Sequence, residues 1–342
     1  MRIANWDAQG PVLLIAEIGN NHEGSFTLAE ELVGRAAEAG ASAVKFQTFR
    51  TEHYVAARDA ERFARLKRFE LSSDQFARLA RQAEQAGLNF LSTPFDLGSV
   101  AALDGIGVPA FKISSGDNTF YPLIEAVAAT GKPILLSGGL ADLDQLRYAE
   151  ALARRIWSER GVSQEVAVLH CVTAYPTPPE EASLATITTL RQTFAGPVGY
   201  SDHTLGIEAA VLAVALGARI IEKHFTVDRA YSDFRDHQLS ADPAMLAALA
   251  GRIRESETLL GDPLKRLRPS ERPAAQALRR SIVATRALAA GAVVGPGDIT
   301  WVRPGGGLPP GAEARVLGRP LRRALAVGEQ ILPETLAPDS PA

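Results

Sequence analysis

Of the six histidines in the 342-residue chain, two lie where a pair of imidazoles can act together. One closes Tyr200-Ser201-Asp202-His203-Thr204, and the other lies in Ile221-Glu222-Lys223-His224-Phe225. Both stretches read as ends of short apolar strands that follow one another in the chain, so the rings of His203 and His224 can approach. Two imidazoles with open water positions suit a divalent ion such as manganese, iron, cobalt or zinc. Nearby carboxylates on Glu222, Asp202 and Asp236 can orient such ligands from behind. A lone histidine would read as structural; two on neighbouring strand ends read as a metal site. His22 and His237 fall in loops at the same end and stay open as participants.

A second set of residues points to anion binding. Lys45 and Gln47 alternate with Val44 and Phe46, which places both on one face of a strand. Phe111-Lys112-Ile113-Ser114-Ser115-Gly116-Asp117 repeats the device. Two ammonium groups converging on one mouth call for a phosphate or carboxylate, with Ser115 and Ser137 as further donors. The alternative is that both stems run outward between helices. Glu17 closes another apolar strand, where a carboxylate without a partner is costly. It either hydrogen-bonds a polyol or aldehyde, or caps the turn that follows. Thr93 and Phe95 can wall a ligand. Cys171 reads as a buried structural thiol rather than a nucleophile.

These residues need a scaffold that brings strand ends together. Apolar β-type runs are expected at 12–18, 43–47, 88–92, 110–113, 133–137, 166–171, 197–200 and 219–225. Helical patterns separate them at 27–39, 74–86, 98–104, 121–129, 142–159, 183–193 and 207–216, and a last one follows at 243–260. Glycines after the helices at Gly40, Gly87 and Gly217 suit C-caps. Strict alternation predicts a parallel sheet, and eight repeats predict closure into an α/β (β/α)₈ barrel with function at the C-terminal strand ends. A doubly wound open sheet is the competing fold, but no Gly-rich dinucleotide loop follows the first strand. The barrel is expected over 1–262, a Pro-, Lys- and Arg-rich linker over 263–280, and a small β-rich domain over 281–338. The tail 337–342 is expected to be unordered.

Composition bounds the partners. A net charge of −3 advertises no polycationic face for nucleic acid. A single cysteine precludes an intramolecular disulfide and suits a reducing compartment. The N-terminus lacks a signal pattern, and no apolar run is long enough to span a bilayer. A cytoplasmic protein without membrane attachment is expected.

Taken in order, several stretches resemble the sialic acid synthase family. They are Ala16-Glu17-Ile18-Gly19-Asn20-Asn21-His22-Glu23-Gly24, Val44-Lys45-Phe46-Gln47-Thr48, Leu91-Ser92-Thr93-Pro94-Phe95, Phe111 to Asp117, Tyr175-Pro176-Thr177-Pro178, Ser201 to Thr204 and Glu222 to Phe225. Each is modest; the ordered set is specific. The resemblance implies a (β/α)₈ barrel followed by an antifreeze-like (SAF) domain. It implies a transferase that joins phosphoenolpyruvate to an N-acetylmannosamine-like sugar with loss of phosphate. By the same resemblance Lys45, Lys112, Ser115, Ser137 and Ser201 hold phosphoenolpyruvate. His203 and His224 bind a divalent metal, manganese first, with magnesium or cobalt as alternatives. Glu17, Gln47, Tyr175 and Asp236 meet the sugar. It further implies a domain-swapped homodimer in which Arg303 enters the partner's site.

The chain also departs from the family. Thr173 stands where many members have Asn, and Asp117 where some have Glu. Ser232-Asp233-Phe234-Arg235-Asp236-His237 replaces the usual Pro-Gly-Pro-Asp-His loop, and Arg279-Arg280-Ser281 looks more like the pseudaminic and legionaminic branches. Arg235 meets either an extra polar substituent or a neighbouring aspartate. Two other functions fit parts of the pattern: a Schiff-base aldolase using Lys45 or Lys112, and a non-catalytic sugar-binding protein.

Overall fold

The structure is a computed structural model that describes residues 1–338. It divides into two compact units, Met1–Gly261 and the chain from Asp262 onward. A short hairpin, β1 (Arg2–Ile3) and β2 (Trp6–Asp7), precedes a closed barrel of parallel strands. The barrel strands are β3 (Leu13–Gly19), β4 (Ala43–Thr48), β5 (Asn89–Pro94), β6 (Phe111–Ile113), β7 (Ile134–Ser137), β8 (Val166–Cys171), β9 (Val198–Asp202) and β10 (Ile220–His224). They neighbour in chain order, and β10 closes on β3. The expected (β/α)₈ barrel is therefore the fold.

The helices between them are α1 (Phe26–Glu38), α2 (Thr51–Tyr54), α3 (Ala60–Phe69), α4 (Ser73–Gln85), α5 (Leu97–Ile106), α6 (Tyr121–Ala129), α7 (Leu143–Glu159), α8 (Thr186–Thr193) and α9 (Glu208–Ala215). After β10 come α10 (Arg235–Leu239) and α11 (Pro243–Leu260). Local chemistry sets their starts. Ser72 with Gln75, and Asp142 with Gln145, form reciprocal capping boxes that satisfy backbone donors at the starts of α4 and α7. Asp96 caps α5 by accepting from the Ser99 amide at 2.8 Å and also takes the Arg50 amide at 2.8 Å, tying the ends of β4 and β5 together. No element was expected between β4 and α4, yet α2 and α3 fill that interval. Half of the α3 sequence AERFARLKRF is charged and it buries only Leu66 and Phe69, so its apolar stripe is too thin to read as periodicity.

Two-residue alternation divides the barrel strands into two faces. One face feeds Leu14, Ala16, Val44, Phe46, Phe90 and Val168 to the layer shared with the helices. The other fills the barrel with Leu13, Ile15, Ala43, Leu91, Ala110, Leu135, Leu169 and Ile220, plugged by Ile3 and Trp6 of the hairpin. Each Val, Leu, Ile or Phe among them contributes about 1.5–3 kcal/mol on burial. Toward the C-terminal strand ends the inward face turns polar. Glu17 continues the Leu13, Ile15 series, Lys45 follows Ala43, Thr93 follows Leu91, and Glu222 and His224 follow Ile220. Apolar layers thus floor a charged cup.

In the second unit β11 (Ser281–Ala284) pairs antiparallel with β12 (Ile299–Val302) over a core that includes Ile282, Leu288, Val316, Leu321 and Ile331. The segment expected as a plain linker carries α12 (Arg272–Leu278), and the Gly305 amide donates to the Gln276 carbonyl at 2.8 Å. Part of 263–280 is therefore built into the small unit, because its backbone groups find partners there. Ala337, expected to open an unordered tail, donates to the Pro320 carbonyl at 2.8 Å. Residues 339–342 of that tail lie outside the described residues. Among the described residues no helix is long and apolar enough to cross a membrane.

Candidate active site

The C-terminal strand ends enclose a cavity of about 500 Å³. Its centre is a chain of alternating charges. Lys45 Nζ lies 2.7 Å from Glu17 Oε2 and 3.7 Å from Glu222 Oε2. Lys112 Nζ lies 3.4 Å from Glu222 Oε1. Neutral donors and acceptors complete the set. Lys45 donates to Thr93 Oγ1 at 3.0 Å, Lys112 to Ser137 Oγ at 2.6 Å, and Ser201 Oγ to Glu222 Oε1 at 2.8 Å. All four charged groups are buried to within a few per cent. Both lysines therefore point inward, and the outward, snorkelling alternative does not hold. Glu17 is an ion-pair partner of Lys45 and not a cap of the following turn. Its neighbour Gln47 donates to it at 3.4 Å and accepts from Asn20 at 2.8 Å.

Burial and charge split the pKa values of this quartet. Burial pushes Glu17 up to about 7 against the attraction of Lys45, and the negative charge of Glu222 adds to the rise. Burial opposes ionisation of Glu222 as well, but Lys112 and Lys45 hold it down at about 2. The two carboxylates flank one ammonium, so one rises as the other falls, and the pair titrates as a unit. Burial disfavours the charge on Lys45, but Glu17 and Glu222 more than offset it and its pKa is raised. On Lys112 burial wins over Glu222, Lys45 adds repulsion, and its pKa is lowered.

The imidazoles of His203 and His224 stand beside the quartet with ring centroids 5.5 Å apart. His203 is set by the turn after β9. On the far side of the strands, Lys223 Nζ donates to Asp202 Oδ2 at 2.8 Å, and Asp202 Oδ1 accepts from the Thr204 amide and hydroxyl, each at 2.8 Å. Asp202 thus orients the backbone that carries His203 and does not itself back an imidazole. His203 Nδ1 faces the Val172 carbonyl at 2.8 Å, which leaves Nε2 turned to other partners. Burial works against a charge on His203, but Cys171 Sγ at 3.8 Å and the Val172 carbonyl more than offset it, so its pKa is raised. His224 goes the other way. Burial, and then the positive neighbours His203 and Lys45, keep it well below the usual range. His224 Nδ1 is buried without a hydrogen-bond partner. A neutral imidazole with an unused lone pair beside a second imidazole fits a borderline divalent ion. No third His, Cys, Asp or Glu joins them in a metal-holding group among the described residues, so water or a substrate would complete the shell.

The remaining predicted residues line the same cavity, with Arg303 the exception. The Phe95 ring packs tilted against that of Tyr54, with centroids 4.4 Å apart. Asp117 accepts from Ser114 Oγ at 2.5 Å, and burial raises its pKa. The Tyr175 ring lies 4.2 Å from that of His203, and burial raises the phenol's pKa. Asp236, raised by burial, sits 3.5 Å from Arg235 Nε, and the Arg235 guanidinium lies 4.8 Å over Tyr175. Arg235 thus meets its neighbouring aspartate. Thr173 Oγ1 is buried and unpartnered, and a Cβ on Gly139 would come within 2.3 Å of it, so only glycine fits there. Cys171 is buried as expected, yet it also lines the cavity, 3.5 Å from Ser115 Oγ. His22 and His237 do not line it. Arg303 belongs to the second unit.

The NeuB family pattern matches residues 32–265, and the SAF domain pattern matches 279–337. The chain belongs to the NeuB family. It is 37% identical over 332 residues to the N,N'-diacetyllegionaminic acid synthase of Legionella pneumophila, covering 93% of each chain. It is 34% identical over 289 residues to human N-acetylneuraminate-9-phosphate synthase, covering 81% of this chain and 79% of that one. The solved N-acetylneuraminic acid synthetase of Leptospira borgpetersenii superposes with a TM-score of 0.73 at 35% identity, covering 78% of this chain and 90% of that one.

In this NeuB-family chain sequence reasoning missed the cavity's outer wall: Tyr54 of α2, Arg62, Arg65, Leu66 and Phe69 of α3, and Phe234. The one signal was the length of the 49–72 interval between strand and helix, longer than a β/α connection needs unless it does something at the site.

Proposed function

We propose that the chain is a nonulosonic acid synthase. It joins phosphoenolpyruvate to the open-chain aldehyde of N-acetylmannosamine or a related 2-acetamido or 2,4-diacetamido hexose and releases phosphate. The observation that carries this reading is the Glu17–Lys45–Glu222–Lys112 quartet beside the His203–His224 pair in one buried cup. The relatives named as legionaminic and neuraminic acid synthases support it.

In this reading Lys45 and Lys112 take the phosphate and carboxylate of phosphoenolpyruvate, with hydroxyl donors from Ser115, Ser137 and Ser201. Glu17, Gln47, Tyr175 and Asp236 contact the sugar and turn its aldehyde carbon toward the enol C3. Thr93, Phe95, Asp117 and Thr173 shape the walls. The C3–C1 bond forms as the aldehyde oxygen gains a proton. Water adds at the former enol C2, and the tetrahedral product loses phosphate by C–O cleavage to leave a ketone. Glu17, held near neutral pH, can give or take a proton at the aldehyde oxygen. Glu222, held ionised, keeps Lys45 and Lys112 in place. His203 and His224 would hold a divalent ion, manganese in preference to magnesium or cobalt. The chemistry it supplies when bound is Lewis-acid polarisation of the aldehyde carbonyl. Arg303 of a second copy of the chain, in a domain-swapped homodimer, would close the site.

The test is incubation with phosphoenolpyruvate, Mn²⁺ and a panel of N-acetylmannosamine-like sugars, with products identified by mass. A nine-carbon (or longer) α-keto acid and equimolar phosphate are expected. No product from any sugar, with a folded protein, would overturn the reading. One observation favours a second reading. Burial lowers the Lys112 pKa, as a Schiff-base nucleophile requires. Borohydride would then trap a lysine–substrate adduct, which the synthase reading does not produce.

A further inference from the structure

The loop after β10 carries Arg235 and Asp236 to the cavity on α10, a helix of only five residues, Arg235–Leu239, with no side-chain cap at its start. So short a helix does not hold itself. What fixes it is a set of polar contacts on the side away from the cavity. His237 is fully buried there. Its Nδ1 lies 2.6 Å from Thr226 Oγ1, and its Nε2 lies 3.1 Å from Glu23 Oε1. A carboxylate only accepts, so Nε2–H donates to Glu23, while Nδ1 pairs with the Thr226 hydroxyl, which also donates to the Asp228 carbonyl at 3.0 Å. The same Glu23 oxygen accepts from Ser232 Oγ, at the start of the loop. One carboxylate from the β3–α1 loop thus grips both ends of the segment 232–237.

Glu23 is itself held firmly. Its φ of +47° is left-handed, unusual for a residue with a side chain, and Gly24 follows at +83°. A Cβ on Gly24 would meet the Arg68 carbonyl at 2.1 Å, so this turn is seated against the end of α3. Asn21, in the same turn, donates to Ser240 Oγ at 2.9 Å, and Ser240 Oγ donates to the Asp236 carbonyl at 2.5 Å. From the other side, Phe234 packs edge-on at 5.3 Å against Phe69 of α3.

We propose that Glu23 and His237 are positioning residues, a latch between the first and last strand loops that holds Asp236 and Arg235 over the cavity and sets affinity for the sugar without touching it. The role rests on the synthase reading. The latch itself is a property of the fold that can be measured without turnover. Lys45 and Lys112 stand on β4 and β6, outside the latched segment, so affinity for phosphoenolpyruvate is independent of it.

The experiment uses the full chain and the variants Glu23→Ala, Glu23→Gln, His237→Ala and Asp236→Ala. In steady-state assays Glu23→Ala and His237→Ala raise the sugar KM about tenfold, as misplacing a substrate-facing group does, while the phosphoenolpyruvate KM stays within about twofold. Glu23→Gln keeps an acceptor for both donors and recovers most of the loss. Asp236→Ala combined with His237→Ala is no worse than Asp236→Ala alone, because one acts through the other. Hydrogen exchange across 230–240 quickens in the latch variants, with no change near Lys45 or Lys112. Should His237→Ala not fold, Ser232→Ala, at a half-buried position, reads the same contact. Equal rises in both KM values, or additive losses in the double variant, would overturn the role in sugar binding. Unchanged exchange across 230–240 would overturn the latch. Failure of the wild-type chain to turn over any sugar would instead sink the synthase reading and leave exchange to decide the latch.

Discussion

Replacing Glu222 by Gln removes the central charge of the quartet while keeping its shape and an acceptor for Ser201. At 3.4–3.7 Å the carboxylate attracts each of two buried ammonium groups. With an effective dielectric of about 20, each attraction is worth about 5 kcal/mol before desolvation is counted. Neutralising one member of a buried pair therefore costs about 3–5 kcal/mol net, since Lys45 keeps Glu17 but Lys112 is left with Ser137 alone. For a cooperative unit the size of Met1–Gly261, each kcal/mol moves Tm by roughly 2 °C, so a fall of about 6–10 °C is expected in thermal unfolding. The variant also offers the lysines to an anion without a competing carboxylate. Metal-free phosphoenolpyruvate should then raise the variant's Tm by more than it raises the wild type's. A Tm within 1 °C of wild type, or a smaller ligand-induced rise, would refute the view that Glu222 holds the two lysines and competes with an anion for them.

Three further outcomes follow from the same geometry. The folded-state pKa of Glu17 is raised to about 7 from 4.5, so the folded chain binds more protons than the unfolded one between those values and Glu17 lowers stability as pH rises through the window. Glu17→Gln should remove that slope, which urea unfolding at pH 5, 6 and 7 reads directly; an unchanged slope would contradict the assignment. His203→Ala and His224→Ala should each abolish metal-stimulated phosphate release and weaken Mn²⁺ binding seen by electron paramagnetic resonance. Full Mn²⁺ affinity in either variant would remove that residue from the metal site. Phe46 packs at 5.6 Å on Phe90 and edge-on at 6.1 Å to Phe76. Phe46→Ala should therefore cost about 3–5 kcal/mol in chemical denaturation, and a loss under 1 kcal/mol would mean the layer collapses around the gap.

The barrel and most of the cup were legible in the sequence because strand alternation is local. Once Leu13 and Ile15 face inward, Glu17 must follow, and the same holds for Lys45 after Ala43. What those side chains do to each other was not legible. Lys112 and Glu222 are 110 residues apart and meet only across the closed barrel, so the lysines' internal partners could not be read from spacing. Asp202 was misassigned for the same reason: its partner, Lys223, lies outward on the next strand, where a sequence pattern shows only another charge. The α3 wall escaped because four of its ten residues are Arg or Lys and its buried stripe is two residues wide.

The most direct test of the whole account is a crystal structure with phosphoenolpyruvate and Mn²⁺. The account predicts the enol ester within hydrogen-bond distance of Lys45 and Lys112 Nζ, with the ion bound by the imidazoles of His203 and His224 in the same cup. Phosphoenolpyruvate bound away from both ammonium groups, or Mn²⁺ bound without either imidazole, would contradict it.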